Sequence, residues 1–379
     1  MPPLRGTDSG LWVAVLAGGI GSRFWPASTP SRPKPLLALA SEQPLICDTV
    51  DRALSLVEPR RLSILSGDHL VSPFRSILPT LEEDNFWVEP KARGTGPVLA
   101  WAAHRIFQID PNAILVSLHA DHRIEPESSF SPLIRSAAEI ARTEDILLTI
   151  AVSPDRPETG YGYIRPGEPL VNGNLLEAFW VGEFVEKPDL AAAEEYLSSG
   201  YFWNSGIFVL PVSRFLHEIR LHAPEIGGCL PLLDRGDDAA FFEEVPMVSI
   251  DEAVFERSGQ VGAVKANFHW DDLGSWESLT RSLASDATGN CGLGDFHPVD
   301  SRDSVVWAED GPVVLFGVDN LVVVRSGGIT LVTSRQRSSE LKQLLAHLPE
   351  ELKEEHAGSS PTAASKTSVS VEPDGRSDK

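Results

Sequence analysis

Short apolar runs alternate with stretches of helical spacing over the first part of this chain. The runs are Leu11–Ala17, Leu62–Leu65, Phe86–Val88, Ala113–Leu118 and Ile146–Val152. The stretches with apolar residues at every third or fourth position are Leu45–Val57, Pro97–Ile109 and Phe130–Ala141. The runs predict buried strands, and the spaced stretches predict helices that pack against them. This alternation predicts an α/β fold with a Rossmann-like, mostly parallel sheet and helices on both faces.

The pattern changes twice further along the chain. After about residue 155, strands are predicted at Gly160–Arg165, Leu176–Lys187 and Tyr201–Leu210, and we interpret them as an extension of the sheet beside a second substrate. After about residue 290, closely spaced short strands are predicted at Val305–Ala308, Val313–Val318, Leu321–Arg325 and Ile329–Thr333, followed by a closing helix at Ser338–Leu348. The predicted organisation is therefore a catalytic domain over 1–285, a small β-rich domain over 286–348 and a disordered tail over 349–379.

Composition narrows the class of protein. The chain has 379 residues, of which 42% are hydrophobic, and this is enough for a sizeable core. Its net charge of −22 argues against binding nucleic acid, which requires a basic face. We predict no membrane span or secretory signal, and three distant cysteines (Cys47, Cys229 and Cys291) fit reduced thiols. We therefore expect a cytoplasmic protein.

A basic, glycine-rich loop follows the first predicted strand. Gly18, Gly19 and Gly21 would let the backbone turn tightly and present N–H groups to a phosphate, and Arg23 and Lys34 add positive charge. A dinucleotide-binding loop needs a third glycine where this chain has Phe24, and this argues against a nicotinamide-dependent oxidoreductase. A Walker loop is excluded because no Gly-Lys pair occurs in the chain.

This loop and the segments after it resemble the sugar-phosphate nucleotidyltransferase family, and within it the group that transfers guanylyl groups to mannose 1-phosphate. The family's opening pattern is a Gly-Gly-x-Gly-x-Arg loop followed by Pro-Lys-Pro, present here from Gly18 to Pro35. The resemblance continues in order through Glu89–Arg93, Ala120–His122, Gly160–Ile164, Val185–Pro188, Trp203–Phe208 and Trp270–Trp276. It covers about residues 11–285 and implies the fold of the nucleotide-diphospho-sugar transferases.

The resemblance implies a reaction and the residues that perform it. The reaction is transfer of GMP from GTP to α-D-mannose 1-phosphate, which gives GDP-mannose and pyrophosphate. The implied catalytic residues are Arg23, Lys34, Asp121 and Asp272, and the two aspartates would bind Mg²⁺ because carboxylates are hard oxygen ligands. The implied nucleotide-binding residues are Ala17, Gly18, Gly19, Gly21, Glu89, Pro90 and Arg93. The implied sugar-phosphate ligands are Gly162, Glu186, Lys187 and Asn204.

The chain departs from the family pattern at three places. Asp271 stands where the family commonly has Ser, so it could substitute for Asp272 as a metal ligand. His119 stands where the family usually has Pro. Gly94-Thr95-Gly96 replaces the usual Asn-Thr-Ala after the segment predicted to recognise the base.

Several alternatives remain at the level of sequence. His119 and His122 could form a zinc site, although no third ligand at helical spacing accompanies them. Another hexose-1-phosphate nucleotidyltransferase, or a non-catalytic subunit that senses a nucleotide sugar, would share much of the pattern. The aromatic side chains of Tyr161, Tyr163 and Trp203 are predicted to be core residues. The sequence also leaves open whether the protein forms a homodimer.

Overall fold

The computed structural model describes residues 10–19, 21–170 and 176–353. These residues group into two compact units. The first unit comprises the described residues of 10–19 and 41–272, and the second comprises 21–40 and 273–353. Among the described residues, no helix is long and apolar enough to cross a membrane.

The first unit is built on a nine-stranded sheet. Its strands, together with two short strands outside the sheet, are β1 Leu11–Leu16, β2 Leu62–Ser66, β3 Phe86–Val88, β4 Ile114–His119, β5 Arg123–Glu125, β6 Leu147–Val152, β7 Tyr163–Pro169, β8 Ala178–Val185, β9 Phe202–Pro211, β10 Val261–Lys265 and β11 His269–Asp271. The order in the sheet is β3-β2-β1-β4-β9-β6-β10-β8-β7, and β5 pairs separately with β11. Strands β8 and β9 run against the other seven, which confirms the mostly parallel sheet.

Helices cover the strands of this sheet. The α-helices of the first unit are α1 Leu45–Leu54, α2 Asp68–Ile77, α3 Thr95–Ile109, α4 Phe130–Glu144, α5 Leu190–Ser198, α6 Val212–His222, α7 Pro224–Gly227, α8 Leu230–Asp234 and α9 Asp238–Glu244. Short 3-10 helices lie at Pro59–Arg61, Glu83–Asn85 and Glu127–Ser129, and a π-helical turn lies at Asp251–Phe255. The sequence of α3 is apolar on nearly all sides, so this helix is buried along most of its length within the core.

The parallel strands place three loops at one edge of the sheet. Leu16, the last residue of β1, is in register with Leu65 of β2 and with His119 of β4. The backbone N–H of Ala120 donates to the Leu16 carbonyl at 3.0 Å, and that of Glu89 donates to the Ser66 carbonyl at 2.9 Å. The carboxyl ends of parallel strands share one edge of the sheet. Three segments therefore lie together at that edge: the glycine turn (residues 17–19), the start of the 89–95 segment and the 120–122 turn.

The second unit contains a small coil of β-strands. They are β12 Cys291–Val299, β13 Val305–Phe316, β14 Leu321–Ser326 and β15 Ile329–Ser334. Cys291 pairs in parallel with Val305, and Val305 pairs in parallel with Val322. The starts of β12, β13 and β14 are therefore stacked in register, as in successive turns of a coil. The unit also has α10 Leu279–Ser282, α11 Leu341–Leu345 and α12 Glu350–Lys353, with 3-10 helices at Ser22–Phe24, Lys34–Leu36, Trp276–Ser278 and Arg335–Glu340.

Three details of the second unit differ from the sequence prediction. The two strands predicted at Val305–Ala308 and Val313–Val318 are one strand, β13, whose pairing with β12 shifts register between Ala308 and Val313, where Gly311 has φ 125°. The closing helix is shorter than predicted and begins as a 3-10 turn at Arg335–Glu340. The tail predicted as disordered over 349–379 begins with a short helix, α12 at Glu350–Lys353, and its residues 354–379 lie outside the described residues.

The prediction also missed several elements of the fold. Helix α2 was not predicted, and it contains Pro73 in its interior, where proline is generally unfavourable. Strands β5 and β11 have three residues each and depend on one another for their hydrogen bonds. Such short segments carry too little periodicity to be recognised without their partner.

Candidate active site

A glycine turn and a half-buried carboxylate meet at the carboxyl edge of the sheet. Ala17 is buried, whereas Gly18 and Gly19 are exposed. A Cβ on Gly18 would lie 3.2 Å from Oε1 of Glu89, so the backbone here passes directly against that carboxylate. Burial raises the pKa of the Glu89 carboxyl to about 7. Pro90 follows as an exposed residue. The segment therefore presents a carboxyl group to whatever occupies the turn.

The two predicted metal-binding aspartates are brought together by the β5–β11 ribbon. Asp121 is half-buried in the turn between β4 and β5. Asp271 of β11 pairs with Arg123 of β5 in an antiparallel register, so Asp272 comes next, beside the 121–122 turn. Neighbouring Cα atoms in such a pair are about 4.5–5.5 Å apart. The structure thus places both acids at one end of the ribbon, although Asp272 is remote from Asp121 in sequence.

Two histidines flank Asp121. Their rings stack with centroids 4.6 Å apart, and the potential ligand atoms of His119, Asp121 and His122 all lie within 4.8 Å of one another. However, Nε1 of Trp270 donates to Nδ1 of His122 at 3.1 Å. Because an indole N–H can only donate, neutral His122 must carry its proton on Nε2, which then cannot bind a metal. This hydrogen bond argues against the alternative of a zinc site.

Residues of α1 support the turn that carries Asp121. The buried guanidinium of Arg52 donates from Nη2 to the carbonyl of His122 at 2.8 Å and to the hydroxyl of Thr49 at 2.7 Å. Thr49 in turn donates to the carbonyl of His119 at 3.4 Å. Hydrogen bonds that involve a charged donor contribute about 1.5–3 kcal/mol each. Helix α1 therefore holds the backbone on both sides of Asp121.

Tyr161 holds the second aspartate. Its hydroxyl donates to Oδ1 of Asp272 at 2.6 Å. Burial, and then the negative charges of Asp272 and Asp271, raise the pKa of Tyr161 far above its ordinary value, so the hydroxyl keeps its proton. Tyr161, Tyr163 and Trp203 are buried, as the sequence predicted. For Tyr161, burial of the ring is combined with a polar contact that orients Asp272.

A second group of polar residues lies around Gly162. A Cβ on Gly162 would lie 2.7 Å from Oε2 of Glu186, so this position admits only glycine while the carboxylate is in place. Lys187 forms an ion pair with Glu186 and is 63% exposed, whereas the Glu186 side chain is only 15% exposed. The backbone N–H of Lys187 donates to the carbonyl of Tyr161 at 3.2 Å. A largely buried carboxylate acceptor and an accessible ammonium group are therefore adjacent here.

Asn204 has internal partners that the sequence did not indicate. Its Oδ1 accepts from the Thr149 hydroxyl at 2.7 Å and from the Gly206 N–H at 3.2 Å, and its Nδ2 donates to Oδ1 of Asp251 at 2.9 Å. Burial raises the pKa of the Asp251 carboxyl to about 7, and the charge of Glu186 adds to this rise. The Asn204 amide therefore already donates one hydrogen to Asp251, and its contact with the sugar stays a prediction.

Arg93 also has partners other than the predicted nucleotide. Its guanidinium donates to the carbonyls of Phe242 and Glu243 at 2.7 and 2.8 Å, at the carboxyl end of α9. Gly94 (φ 82°) would place a Cβ 2.6 Å from the carbonyl oxygen of Val248. This close approach explains why glycine replaces the family's asparagine at position 94. Arg93 thus anchors the segment that begins at Glu89, and it is already occupied in this structure.

The remaining predicted residues belong to the second unit. Gly21 has φ 71° and ψ 44°, and a Cβ there would lie 2.3 Å from Cβ of Lys34, so both conformation and packing require glycine. Lys34 is 5% exposed, and its Nζ lies 5.6 Å from the centroid of the Phe24 ring. Arg23 is exposed and donates from Nη1 to the Gly274 carbonyl at 3.0 Å. The predicted phosphate-binding loop is therefore divided between the units, with residues 17–19 in the first.

Sequence reasoning missed four residues that surround these groups: Arg52, Arg156, Asp251 and, as a polar contact, Tyr161. Only Tyr161 carried a signal, because it belongs to the Gly-Tyr-Gly-Tyr segment that was singled out. Arg156 lies four residues before that segment, in a loop that also contains two prolines. The partners of these residues are mostly so distant in sequence that spacing along the chain does not reveal them.

The chain is similar to known proteins along most of its length. The profile described as "Nucleotidyl transferase" matches residues 13–289, and the profile described as "MannoseP isomerase/GMP-like beta-helix domain" matches residues 297–348. A mannose-1-phosphate guanylyltransferase of Escherichia coli (strain K12) is 34% identical over 363 residues, which is 92% of this chain and 76% of that protein.

Two further relatives extend the comparison. The alginate biosynthesis protein AlgA of Pseudomonas syringae pv. tomato is 34% identical over 350 residues, which is 89% of this chain and 71% of that protein. A crystal structure from Thermus thermophilus, described as a mannose-1-phosphate geranyltransferase, has a TM-score of 0.81 and 30% identity. The match covers 89% of this chain and 99% of that one.

Proposed function

This chain belongs to the nucleotidyl transferase family, and we propose that it transfers GMP from GTP to α-D-mannose 1-phosphate, which gives GDP-mannose and pyrophosphate. It is a sugar-phosphate nucleotidyltransferase, so its substrates are a nucleoside triphosphate and a sugar phosphate. What we propose in addition is that the base is guanine and the sugar is mannose. The main support for this proposal is that the glycine turn, Glu89 and Asp121 lie at one edge of the sheet. In addition, curated relatives of the chain are named for this reaction.

Glu89 is the residue we assign to the base. Guanine presents two adjacent N–H donors on its Watson–Crick edge, and a carboxylate is an acceptor with two oxygens. The Glu89 carboxyl lies against Gly18, where no side chain stands between it and the loop. Ala17, Gly18 and Gly19 would pass along the nucleotide with their backbone, and Pro90 would border the base. Arg93 contributes by anchoring the segment, through its hydrogen bonds to the end of α9.

We assign the sugar phosphate to the group around Gly162. Glu186 would accept hydrogen bonds from sugar hydroxyls, and the exposed ammonium of Lys187 would pair with the phosphate. The backbone of Gly162 lies directly beside the Glu186 carboxylate. Asn204 would act through Asp251, to which its amide donates. A largely buried carboxylate beside an accessible cation suits a sugar phosphate, which has hydroxyl donors and a negative charge.

A divalent cation fits the pair formed by Asp121 and Asp272. Nucleotidyltransferases of this family generally use a divalent metal, and we propose Mg²⁺ because the donors are carboxylate oxygens. When bound, the cation would supply positive charge beside the reacting phosphates. The two carboxylates would hold it, and the hydrogen bond from Tyr161 would orient Asp272.

The chain's own contribution to the reaction is alignment and charge neutralisation. The attacking atom is an oxygen of the sugar phosphate, whose second pKa is about 6, so at neutral pH it is already mostly dianionic. No general base is therefore needed. Lys34 and Arg23 would neutralise the triphosphate and the departing pyrophosphate. Alignment and charge neutralisation need charged side chains beside the substrates, and the residues proposed for these tasks are charged residues at strand ends and in loops.

The test is a matrix of nucleotides and sugars. The purified full chain is incubated with Mg²⁺, each of GTP, ATP, UTP and dTTP, and each of mannose, glucose and galactose 1-phosphate, and pyrophosphate release is measured. We expect kcat/KM to be highest for GTP with mannose 1-phosphate. A higher value for UTP or dTTP with glucose 1-phosphate would assign a different nucleotide sugar. Tight binding of GDP-mannose without turnover would instead indicate a sensing subunit.

The Glu89 assignment predicts a pH dependence. Because the pKa of Glu89 in the free protein is about 7, its carboxyl becomes protonated as the pH falls through 7 and loses acceptor capacity. We expect the KM for GTP to rise toward ~10-fold per pH unit below 7. The measurement is KM for GTP between pH 5.5 and 8.5 for the native protein and for Glu89→Gln. The variant should bind GTP more weakly and lose this slope, while the titration of GTP itself affects both proteins equally. A native-like slope in Glu89→Gln would remove Glu89 from base recognition.

A further inference from the structure

Two consecutive carboxylates stand where one metal ligand is expected. Asp271 and Asp272 adjoin each other, and the Asp271 side chain is only 13% exposed. Asp271 is also the residue that replaces the serine common in the family. A second carboxylate next to a metal ligand would be expected either to bind the same ion or to be paired with a cation. The structure offers a cation for this role.

Arg156 is that cation. Its Nη2 lies 3.9 Å from Oδ2 of Asp271, and the same nitrogen donates to the hydroxyl of Tyr161 at 3.2 Å. Tyr161 in turn donates to Oδ1 of Asp272. The guanidinium also lies 4.7 Å from the centroid of the Trp203 ring, and its side chain is 25% exposed. One guanidinium therefore contacts Asp271 directly and Asp272 through a tyrosine.

Asp271 is contacted by an ion pair, whereas Asp272 is contacted by a tyrosine hydroxyl. The two aspartates therefore differ in how available they are to a metal ion. The ion pair with Arg156 places a positive charge 3.9 Å from Oδ2 of Asp271 and offsets the charge of that carboxylate. The tyrosine hydroxyl engages Oδ1 of Asp272, and a carboxylate has a second oxygen that can bind a cation. A hydrogen bond to one carboxylate oxygen is the usual way in which a neighbouring group orients a metal ligand.

We propose that Arg156 is a positioning residue that selects Asp272 over Asp271 as the metal ligand. It occupies Asp271 in an ion pair and, through Tyr161, fixes the orientation of Asp272. This inference rests on the proposed function for the presence of a metal at Asp121 and Asp272, but it does not depend on which base or sugar is used. Without Arg156, Asp271 would join the metal, which would then be bound more tightly and in the wrong place.

Arg156 has other acidic neighbours, and one of them supplies a control. Its Nη1 pairs with Asp155 at 2.8 Å, and its Nε lies 3.4 Å from Oε2 of Glu158. Asp155 is 73% exposed. The variant Asp155→Asn removes the charge of one acidic partner of the Arg156 guanidinium, and this partner is not one of the proposed metal ligands Asp121 and Asp272. It should leave metal binding unchanged.

The test measures the binding of Mn²⁺ alone to the full chain by electron paramagnetic resonance, in the absence of nucleotide and sugar. The variants are Arg156→Met, Asp271→Ser, the double variant Arg156→Met/Asp271→Ser and the control Asp155→Asn. Methionine keeps the apolar stem that packs over Trp203. Since each added carboxylate tightens binding, we expect Arg156→Met to lower the Kd for Mn²⁺ by ~10-fold. Asp271→Ser, the double variant and the control should stay within about twofold of the native value.

Turnover in the same proteins provides the second readout. Arg156→Met should lower kcat by ~10-fold, the usual scale for losing a group that orients a metal ligand. Arg156→Lys, which keeps one charge for Asp271, should hold the Kd for Mn²⁺ near the native value.

An Arg156→Met protein whose Mn²⁺ binding is unchanged or weaker overturns the proposal, and so does tightening that persists in the double variant. If Arg156→Met does not fold, a tenfold weakening of Mn²⁺ binding in Asp271→Ser alone overturns it. A failure of the nucleotide and sugar matrix would leave this Mn²⁺ result intact, so the two failures are distinguishable.

Discussion

Replacement of Asp121 by alanine is expected to lower kcat by ~10²-fold or more, the scale of losing a preorganised charge stabiliser. Asp121 lies in the turn after β4, and α1 holds the backbone of that turn through Arg52 and Thr49. The variant therefore removes a carboxylate from a support that stays in place. The measurement is steady-state pyrophosphate release at saturating GTP and mannose 1-phosphate, over a range of Mg²⁺ concentrations. The loss should persist at high Mg²⁺, because filling the proposed site with the ion does not restore the second carboxylate that would position it.

The control for this variant is Asp110→Ala. Asp110 lies before the amino end of β4, where Oδ1 accepts from the backbone N–H of Asn112 at 3.0 Å. Its replacement removes the same side chain at the opposite end of the same strand, so kcat should stay within about twofold, as for a substitution far from the site. Asp121→Asn tests charge at constant size and should be nearly as damaging as alanine. A native kcat in Asp121→Ala would exclude this residue from catalysis.

Replacement of Lys34 by alanine is also expected to lower kcat by ~10²-fold. The ammonium of Lys34 is held in a defined place, because its stem packs against the Gly21 backbone and its Nζ lies near the face of Phe24. A cation fixed in this way would stabilise negative charge on phosphate oxygens without reorganising during the proposed reaction. The measurement is kcat and KM for GTP, and we expect kcat to change more than KM, because the charge on pyrophosphate develops as the bond breaks.

Two further substitutions separate charge from packing at this position. Lys34→Met keeps most of the buried volume and should lose as much turnover as Lys34→Ala, since both remove the ammonium. Arg32→Met removes a neighbouring cation of the same loop, which is paired with Glu309 at 2.6 Å, and should change kcat by about twofold at most. Equal losses in Lys34→Met and Arg32→Met would mean that general charge, and not Lys34 itself, supports the reaction.

Much of the first unit could be predicted because its strands are buried on both faces. Such strands appear as continuous apolar runs, and β1, β2, β4 and β6 were all placed within a few residues. The ribbon of β5 and β11 could not be predicted in this way. Each of its strands has three residues and is paired only with the other, which is remote in sequence. The same ribbon is what brings Asp272 to Asp121.

The sequence alone determined the α/β class, the glycine turn after β1 and the charged residues that follow the strands. It could do so because burial imposes a periodicity, and because the chain must leave a parallel sheet at the same edge each time. Only the tertiary structure decided which partner each polar side chain takes. Arg93 binds the end of α9, Asn204 binds Asp251, and Arg156 binds Asp271. These pairs depend on where distant loops fold back against one another, and hydrogen bonds and ion pairs leave no periodic trace along the chain.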